Sequence, residues 1–455
     1  MKKIYFSTAI GRSISSAFIL GLTSLSLLAC KTIPNPIEDV IPLASLTSPD
    51  VETKTDEYYT EKVQSFYNNN KAYEAIARAI ITQTPSASAA SLEGQKLLGR
   101  AYNQNRLPQV SPTASVEDDG DVIGRLIIEQ VIFDNGRFKA GKKLFTADEA
   151  RVFGDYLIET NEDIAQGINV YLRAVRLQSL LSASEKLAVK YDDLHKIALD
   201  RVSGGVGKRS ESSLFEIRKL QTHAQSDTIR AELKTTRAEL QALTGNDNFV
   251  LTPRRFNFGG SREALAQEIF ETTPTILRTQ ADVDARIAEL EQAKADRLPS
   301  LSFRGSLGAG TGLGLGADDQ VNDARLGLSV SQPLYWGKNL NTEAILKNIE
   351  AEELRVKRVK RDAKVEMASH DQQIKALETQ LPNQQTLVNL AEKRAENFKT
   401  DFRAGAATMV EAISLLETLK TLQTQYIDME HDRLNNELQF ARILGILGPM
   451  PPSPP

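Results

Sequence analysis

Hydrophobic positions along this chain change period several times, and the order of those changes occurs twice. Phe153, Leu157, Ile164, Ile168, Tyr171 and Val175, then Leu187, Tyr191, Leu194 and Ala198, recur at steps of three, four and seven. That is the stripe of a coiled-coil-like helix. It predicts a helix from about Ala140 to Val202, roughly 90 Å long at 1.5 Å per residue. A return helix is expected from about Ser210 to Leu243, closed by Thr244-Gly245-Asn246 with glycine after the last turn. The second occurrence predicts a long helix from about Asn341 to Phe402. Its return helix carries Met409, Ile413, Leu416, Leu419, Leu422 and Tyr426.

Each long helix is preceded by a stretch with a period of two. Leu301, Phe303, Gly305 and Leu307 alternate with Ser302, Arg304 and Ser306, and Leu326, Leu328 and Val330 alternate with Gly327, Ser329 and Ser331. Two strands follow, joined by a Gly-rich loop over Gly308 to Gly316. The earlier pair, Pro108 to Phe133 around Asp118-Asp119-Gly120-Asp121, alternates less well, because Leu126-Ile127-Ile128 is apolar on both faces. Matching punctuation brackets both pairs. Arg106-Leu107-Pro108 is answered by Arg297-Leu298-Pro299, and Gln130-Val131-Ile132-Phe133-Asp134-Asn135-Gly136-Arg137 by Gln332-Pro333-Leu334-Tyr335-Trp336-Gly337-Lys338. Shorter helices precede them: about Ala72 to Gln104, broken at Thr84-Pro85-Ser86, and about Thr275 to Ala295, opened by Pro274.

The two points where long helices reverse also match. Arg201-Val202-Ser203-Gly204-Gly205-Val206-Gly207-Lys208-Arg209-Ser210-Glu211 aligns with Arg403-Ala404-Gly405 through Glu411. Gly204, Gly205, Gly207 and Gly405 supply the left-handed angles that end a helix. Ser210 and Thr408 are placed to cap the returning helices. Two copies in the same context predict a duplicated unit with a helical hairpin at each tip.

These patterns divide the chain into a signal segment at 1–29, an N-terminal tether at 30–71, a first repeat at 72–245, a connection at 246–271, a second repeat at 272–445 and a Pro-rich tail at 446–455 expected to be disordered. Composition agrees with long helices: aromatics are 6% and Ala, Leu, Glu, Gln, Lys and Arg are abundant. A formal charge of -4 gives no reason to expect nucleic acid as a partner. Beyond the N-terminal segment no apolar run is long enough to span a membrane as a helix.

The single cysteine excludes a disulfide within the chain, and its position is informative. Met1-Lys2-Lys3 and Arg12 precede an apolar stretch, Ile14 to Leu28, that ends Leu27-Leu28-Ala29-Cys30. That ending resembles the bacterial lipobox, in which the cysteine becomes the acylated first residue. Lys31 follows it, where an Asp would favour inner-membrane retention in enterobacterial lipoproteins, so the outer membrane is the expected destination.

Four strands of about ten residues have the length that crosses a bilayer when tilted. They cannot close a barrel alone, and open edges in lipid are forbidden. Three chains would supply twelve strands and twelve long helices, a closed barrel above a hollow helical cylinder. The pattern alone also accommodates a lipid-anchored periplasmic coiled-coil scaffolding protein without a pore.

The doubled order of helix, R-L-P, strand pair, Q-x-x-[FY]…G-[RK], long helix, Gly-containing tip, helix and L-T-G resembles the TolC family of outer-membrane efflux proteins, over roughly residues 72 to 445. The lipobox looks like the OprM-type lipoprotein branch, and the first tip looks more like members that serve type I secretion. The resemblance implies a mainly α fold with a small β part, built as a homotrimeric α-helical barrel with a 12-stranded β-barrel in the outer membrane. It implies a passive export duct, working with a periplasmic adaptor and an inner-membrane ABC or RND transporter. It also implies a ring of carboxylates near the start of the last long helix. Glu411 falls on one such position; the second, three residues on, is Ser414, so only one ring is supported. Glu211 matches an acidic partner in the first tip. A Tyr and an Arg of the family's tip network align with Phe402 and Ala407, which leaves Arg201, Arg209 and Arg403 as the local cations.

Catalysis has little support. His195, His223, His370 and His431 are scattered along helices without a metal-ligand spacing, and the glycines of 308–316 lack a Lys-Ser/Thr ending, so neither metal, cofactor nor phosphate loop is expected.

Overall fold

The computed structural model describes residues 61–84, 86–116, 122–205, 209–246, 248–311, 320–332 and 338–448. In chain order these form helix α1 (61–69), α2 (Lys71–Gln83), α3 (Ala87–Gln104), strands β1 (Gln109–Val116) and β2 (Val122–Phe133), α4 (Arg137–Ser203), α5 (Arg209–Thr244), α6 (Arg262–Ile269), α7 (Pro274–Ala295), β3 (Ser300–Thr311), β4 (Gln320–Ser331), α8 (Lys338–Arg403) and α9 (Met409–Leu444).

The chain is mainly helical with one small antiparallel sheet. The four strands pair in sequence order, β1-β2-β3-β4. The register puts Val110 opposite Ile128, Gly305 opposite Ile128 and Leu326 opposite Gly305, so one face is a row of apolar and small side chains. The Gly308 to Gly316 stretch was expected to be a loop. Its first residues, Gly308 to Thr311, instead continue β3, because β2 extends to Val122 and supplies their ladder partners.

The 67 residues of α4 form the spine, about 100 Å long at 1.5 Å per residue. α5 folds back along its second half, α3 and α7 flank its first half, and α9 runs beside it. α8, of 66 residues, pairs with α9 as α4 pairs with α5. The apolar stripe explains this. Leu157, Ile164, Ile168, Tyr171, Val175, Leu187, Tyr191, Leu194 and Ala198 are all buried.

The largest core lies midway along α4, where the connection and both described ends of the chain wrap it. Tyr73 of α2 stacks on Phe256 of the connection with ring centroids 4.1 Å apart, and its hydroxyl donates to the Arg254 carbonyl at 2.6 Å. Arg262 of α6 reaches Asp371 of α8 at 3.0 Å and Glu378 at 3.3 Å.

Two expectations about the ends are corrected. The tether at 30–71 was expected to carry little structure, yet residues 61–69 are helical, and Val63, Phe66 and Tyr67 belong to the core. Their spacing of three and four is a helical stripe, too short to stand out beside the prolines upstream. The tail was placed at 446–455, yet Ile446 and Leu447 are buried. The Leu447 and Gly448 amides donate to the Asn161 side chain at 3.0 and 3.2 Å, and the Tyr67 hydroxyl donates to the Leu447 carbonyl. Residues 1–60 and 449–455 lie outside the described residues, the Leu27-Leu28-Ala29-Cys30 motif among them.

Candidate functional site

The doubled punctuation has a structural use. Gln130 donates to the Arg106 carbonyl at 3.0 Å and Gln332 to the Arg297 carbonyl at 3.3 Å. Each glutamine thus ties the end of its strand pair to the R-L-P turn that began it. Asp134 accepts from the Gly136 and Phe138 amides at 3.0 and 2.8 Å, which satisfies two of the free donors at the start of α4. Asn135 and Arg137 reach across to the second repeat. Asn135 donates to the Pro299 carbonyl, and Arg137 donates to the Leu298 carbonyl at 3.1 Å. The two strand pairs are locked together where they meet the helices.

At the opposite end of α4 the two tips share a fold. Gly205 and Gly405 have φ of 76° and 80°, the left-handed region that glycine enters without a Cβ penalty. The Gly205 amide donates to the Val202 carbonyl at 3.1 Å, and the Gly405 amide to the Phe402 carbonyl at 3.2 Å. In the second tip the Ala406 amide also reaches the Asp401 carbonyl at 3.0 Å, completing a Schellman closure. Gly204 is the residue at which α4 ends, with an ordinary φ of -77°. Gly207 lies outside the described residues.

Thr408 caps α9 as expected. Its hydroxyl accepts from the Glu411 amide at 3.3 Å, and the Glu411 carboxylate accepts from the Thr408 amide at 2.9 Å. This reciprocal box fixes the Glu411 carboxylate at the helix N-terminus. The bond from the Thr408 amide, with that from its hydroxyl, holds the carboxyl below the usual range. Glu411 and Ser414 are both exposed and share one face of α9, opposite buried Ala412, Ile413, Leu415 and Leu416. The expectation for Ser210 is corrected. α5 already includes Arg209, so Ser210 is inside the helix and does not cap it.

The tip cations divide. Arg201 crosses from the first tip to the second, donating to the Phe402 carbonyl at 3.1 Å, with its guanidinium 4.8 Å from the centre of the Phe402 ring. Phe402 is fully buried between Phe215 and Phe398. Arg209 and Arg403 are exposed, and no ion pair of either falls among the described residues. Glu211 belongs to α5, but its side chain, and with it the expected acidic pairing at the tip, lies outside what is described. Arg201 engages a carbonyl and a ring. Sequence reasoning matched Phe402 to a tyrosine position and missed this contact. Its signal was an arginine and a phenylalanine at adjoining positions of the two aligned tips.

Further ion pairs link the hairpins near the tips: Asp193 to Lys399 at 2.7 Å and Lys190 to Glu396 at 3.5 Å. A shared core of Leu187, Tyr191, Leu194, Phe215, Phe402, Ile413 and Leu416 makes this end a four-helix bundle.

His195 meets Ser212 at 3.2 Å and His370 meets Asn436 at 2.8 Å. Among the described residues no His, Cys, Asp and Glu side chains gather as a metal site would require, and no helix is long and apolar enough to cross a membrane.

Residues 265–446, which hold the second repeat, match the family model of the outer membrane efflux protein. The chain is 21% identical to the outer membrane efflux protein BepC of Brucella suis over 379 residues, covering 80% of each. It is 22% identical to the outer membrane protein TolC of Salmonella enteritidis over 347 residues, 71% of this chain and 68% of that protein. In three dimensions it is similar to the outer membrane protein VceC of Vibrio cholerae, with a TM-score of 0.68 and 15% identity over 84% of this chain and 98% of the other. With the doubled order, the four-stranded sheet and the paired long hairpins already in place, the second repeat matches the outer membrane efflux protein family and the chain has the fold of these outer membrane channels.

Proposed function

We propose that three copies of this chain form the outer-membrane channel of a tripartite export system in a Gram-negative bacterium. The duct is passive. It carries cargo from a periplasmic adaptor and an inner-membrane ABC or RND transporter to the exterior. The observation that carries this reading is the sheet. It has open edges at β1 and β4, an exposed apolar face that includes Leu307, Leu326, Leu328 and Val330, and a polar opposite face. An isolated sheet of this kind exposes apolar area to water, and in lipid its edges would leave backbone groups unpaired. Joining β4 of one copy to β1 of the next removes every edge. Three copies give twelve strands, with the apolar face toward lipid and the polar face toward a water-filled lumen.

The helices then hang from the barrel into the periplasm, and the tips form the entrance. Glu411, repeated threefold, lines it, and Ser414 occupies the next position on the same face. The Arg201 contact holds the two tips of each chain together in the closed state. Glu211, Arg209 and Arg403 supply the remaining charges of the entrance. Cys30 carries the lipid that adds a second membrane attachment.

Single-channel recording in planar bilayers tests the duct. The purified protein is expected to have the mass of a trimer and to conduct. A stable monomer that retains its strands and never conducts would sink the proposal. Labelling with a fatty-acid probe tests the anchor: the wild type should label and Cys30→Ser should not.

A further inference from the structure

Where the first strand pair meets α4, the chain carries charge that export does not use. α4 opens with Arg137, Lys139, Lys142 and Lys143, and no acidic residue falls between Asp134 and Asp148. Cations at a helix N-terminus oppose the helix dipole, so this placement does not serve α4 itself. Two of the four are committed to α7 and the residue after it: Lys143 to Glu291 at 2.6 Å and Arg137 to Asp296 at 2.9 Å. Lys139 and Lys142 are exposed and form no ion pair among the described residues. Arg106, in the R-L-P turn, stands beside them. Gln130 holds its carbonyl, and its guanidinium lies 5.6 Å from the centre of the Phe138 ring, which stacks on Tyr102 at 5.2 Å. Phe138 and Lys142 are neighbours one helical turn apart. A guanidinium laid on a ring keeps its in-plane N–H donors free. Lys139 and Lys142 precede Tyr171 by about nine and about eight whole turns at 3.6 residues per turn, so all three point the same way. Tyr171 meets Tyr73 of α2 edge to face at 6.1 Å. The two lysines therefore stand on the side of α4 that α2 wraps further along. In the second repeat the aligned positions, counted from Gly136-Arg137 and Gly337-Lys338, are Leu340 and Glu343, both exposed. Folding of this junction thus does not demand cations there.

We infer, on the reading of the sheet as part of a trimeric barrel, that Arg106, Lys139 and Lys142 bind the headgroup of an anionic phospholipid in the leaflet facing the periplasm. The lumen of such a duct must stay open, so the layer that includes α2 is outside the wall of long helices, and the lysines are on its side. The apolar face of the sheet ends at this level with Phe133, Leu301 and Val330, paired across β2, β3 and β4. Phe133, Val330 and the nearby Leu107 are exposed. Acyl chains end where that face ends. The headgroup layer beyond it is roughly 5–8 Å deep. Lys139 and Lys142 lie about 3 and 8 Å along α4 from its start, and lysine stems reach toward such a layer. Phosphate oxygens accept from the Arg106 guanidinium and from both ammonium groups. The first three turns of α4 offer no carboxylate to the ammonium of a zwitterionic headgroup, so a net anionic lipid is preferred. Threefold repetition gives three such sites, one at each first repeat.

The test is native mass spectrometry of the full-length trimer in detergent, titrated with phosphatidylglycerol or with phosphatidylcholine. The wild type should retain up to three phosphatidylglycerol molecules per trimer, with a preference over phosphatidylcholine on the order of tenfold. Lys139→Gln with Lys142→Gln should reduce that preference to about twofold or less, with trimer mass and conductance in planar bilayers unchanged. Lys139→Arg with Lys142→Arg should keep it, because the charge is kept. Lys357→Gln with Arg358→Gln, exposed cations of α8 about 30 Å from its start, should leave it as in the wild type. Inorganic phosphate at millimolar concentration should not displace the lipid. A conducting trimer that retains both lipids equally overturns the site and leaves the duct intact. So does a preference that survives the glutamine pair, or one lost equally in the α8 variant, which would be general surface charge. Displacement by inorganic phosphate alone would mean a site for soluble anions and also overturns the lipid assignment. A protein that neither trimerises nor conducts overturns the duct reading, and this site with it.

Discussion

The Arg201 side chain of the first tip donates to the main-chain carbonyl of Phe402 in the second at 3.1 Å while its guanidinium lies over the same residue's ring at 4.8 Å. That carbonyl is in the last turn of α8, where carbonyls lack a helical donor. It also accepts from the Gly405 amide at 3.2 Å. One arginine therefore adds a donor to a helix end, a cation to the negative end of its dipole, and a cation–π contact. Separation of the two hairpins at their tips must break all three.

Arg201→Ala is expected to weaken the closed tip by about 1–2 kcal/mol per chain, combining a charged hydrogen bond with a cation–π contact. The Asp193–Lys399 and Lys190–Glu396 pairs, both partly exposed, remain to hold the bundle, so trimer mass should not change. The expected readout is higher mean conductance with more frequent open events. Arg201→Lys should recover only part of the wild-type behaviour, because an ammonium has no planar face to lay on the ring. Conductance in Arg201→Ala indistinguishable from wild type would show that the contact is incidental to closure.

Substitutions can separate the capping role of Glu411 from the role proposed for it at the entrance. Gln at this position can still complete the capping box, whereas Lys cannot and would also oppose the helix dipole. Glu411→Gln should therefore keep the trimer intact and reduce cation selectivity, and Glu411→Lys should abolish or reverse it. The pH dependence has a definite sign. The folded carboxyl titrates below its ordinary 4.5, so the charge is present above that value and lost only as pH falls below it. Reversal potential across a salt gradient should stay constant from neutral pH down to about 4.5 and then decline. An unchanged reversal potential in Glu411→Lys would mean that this carboxylate does not face the conducting path.

The long elements were legible because their periodicity persists over many turns. Leu157 to Ala198 repeats the same stripe until no other fold of that segment buries it. The family likeness came from order, not from any one motif. What escaped was short or contributed by distant positions. Phe66 and Tyr67 occupy two turns beside a Pro-rich stretch, and their burial depends on Phe256 and Leu447, far along the chain. Ile446 and Leu447 looked like the start of a tail because nothing local shows that Asn161 receives their neighbours. At the tips, the turn glycines and the Thr408 cap follow from local backbone rules. The Arg201 contact joins two segments 201 positions apart, and local rules carry no trace of it.

A buried pair in the central core offers a test of what holds the connection in place. Glu437 and Arg433 of α9 are both almost fully buried, 3.7 Å apart. Glu437 also accepts from the Phe256 amide at 3.0 Å. Burial raises the Glu437 carboxyl above its ordinary range, against the lowering effects of the Phe256 amide and Arg433. A raised carboxyl means that the folded state binds its proton more tightly than the unfolded state. This group's contribution is therefore most favourable below the unfolded value and declines as pH rises through the folded one. Glu437→Ala should cost about 3–5 kcal/mol at neutral pH, because Arg433 is left as a buried unpaired charge. Glu437→Gln with Arg433→Met keeps an acceptor for Phe256 and removes both charges. It should recover most of the loss, and its stability relative to wild type should improve as pH rises from 4 to 8. Thermal unfolding of the trimer across that range checks both statements. A double variant as unstable as Glu437→Ala would locate the stabilisation elsewhere.

The residues around Leu447 supply a test of what docks α1. Asn161 is 2% exposed, inside α4. Its amide nitrogen donates to the Leu157 carbonyl at 2.7 Å, and its oxygen accepts from both the Leu447 and Gly448 amides. Leu447 in turn receives the Tyr67 hydroxyl on its carbonyl. Leu447 thus joins α1 to α4 through two hydrogen bonds and a fully buried side chain. Removal of residues 449–455 leaves this arrangement untouched and should change the unfolding midpoint negligibly. Removal of 446–455 takes away two buried apolar side chains and strands the Asn161 oxygen and the Tyr67 hydroxyl without partners. Each unsatisfied buried group costs about 1–3 kcal/mol. Each lost apolar side chain adds about 1.5–3 kcal/mol. Asn161→Ala should fall between the two truncations, at about 2–4 kcal/mol, since it leaves two buried amides unpaired but keeps the apolar contacts. Limited proteolysis within 61–69 gives an independent readout. Cleavage there should accelerate after the longer truncation and in Asn161→Ala, and stay at the wild-type rate after the shorter one. Equal protection of 61–69 in all three variants would mean that α1 is held by Val63 and Phe66 alone, with Leu447 contributing nothing to its docking.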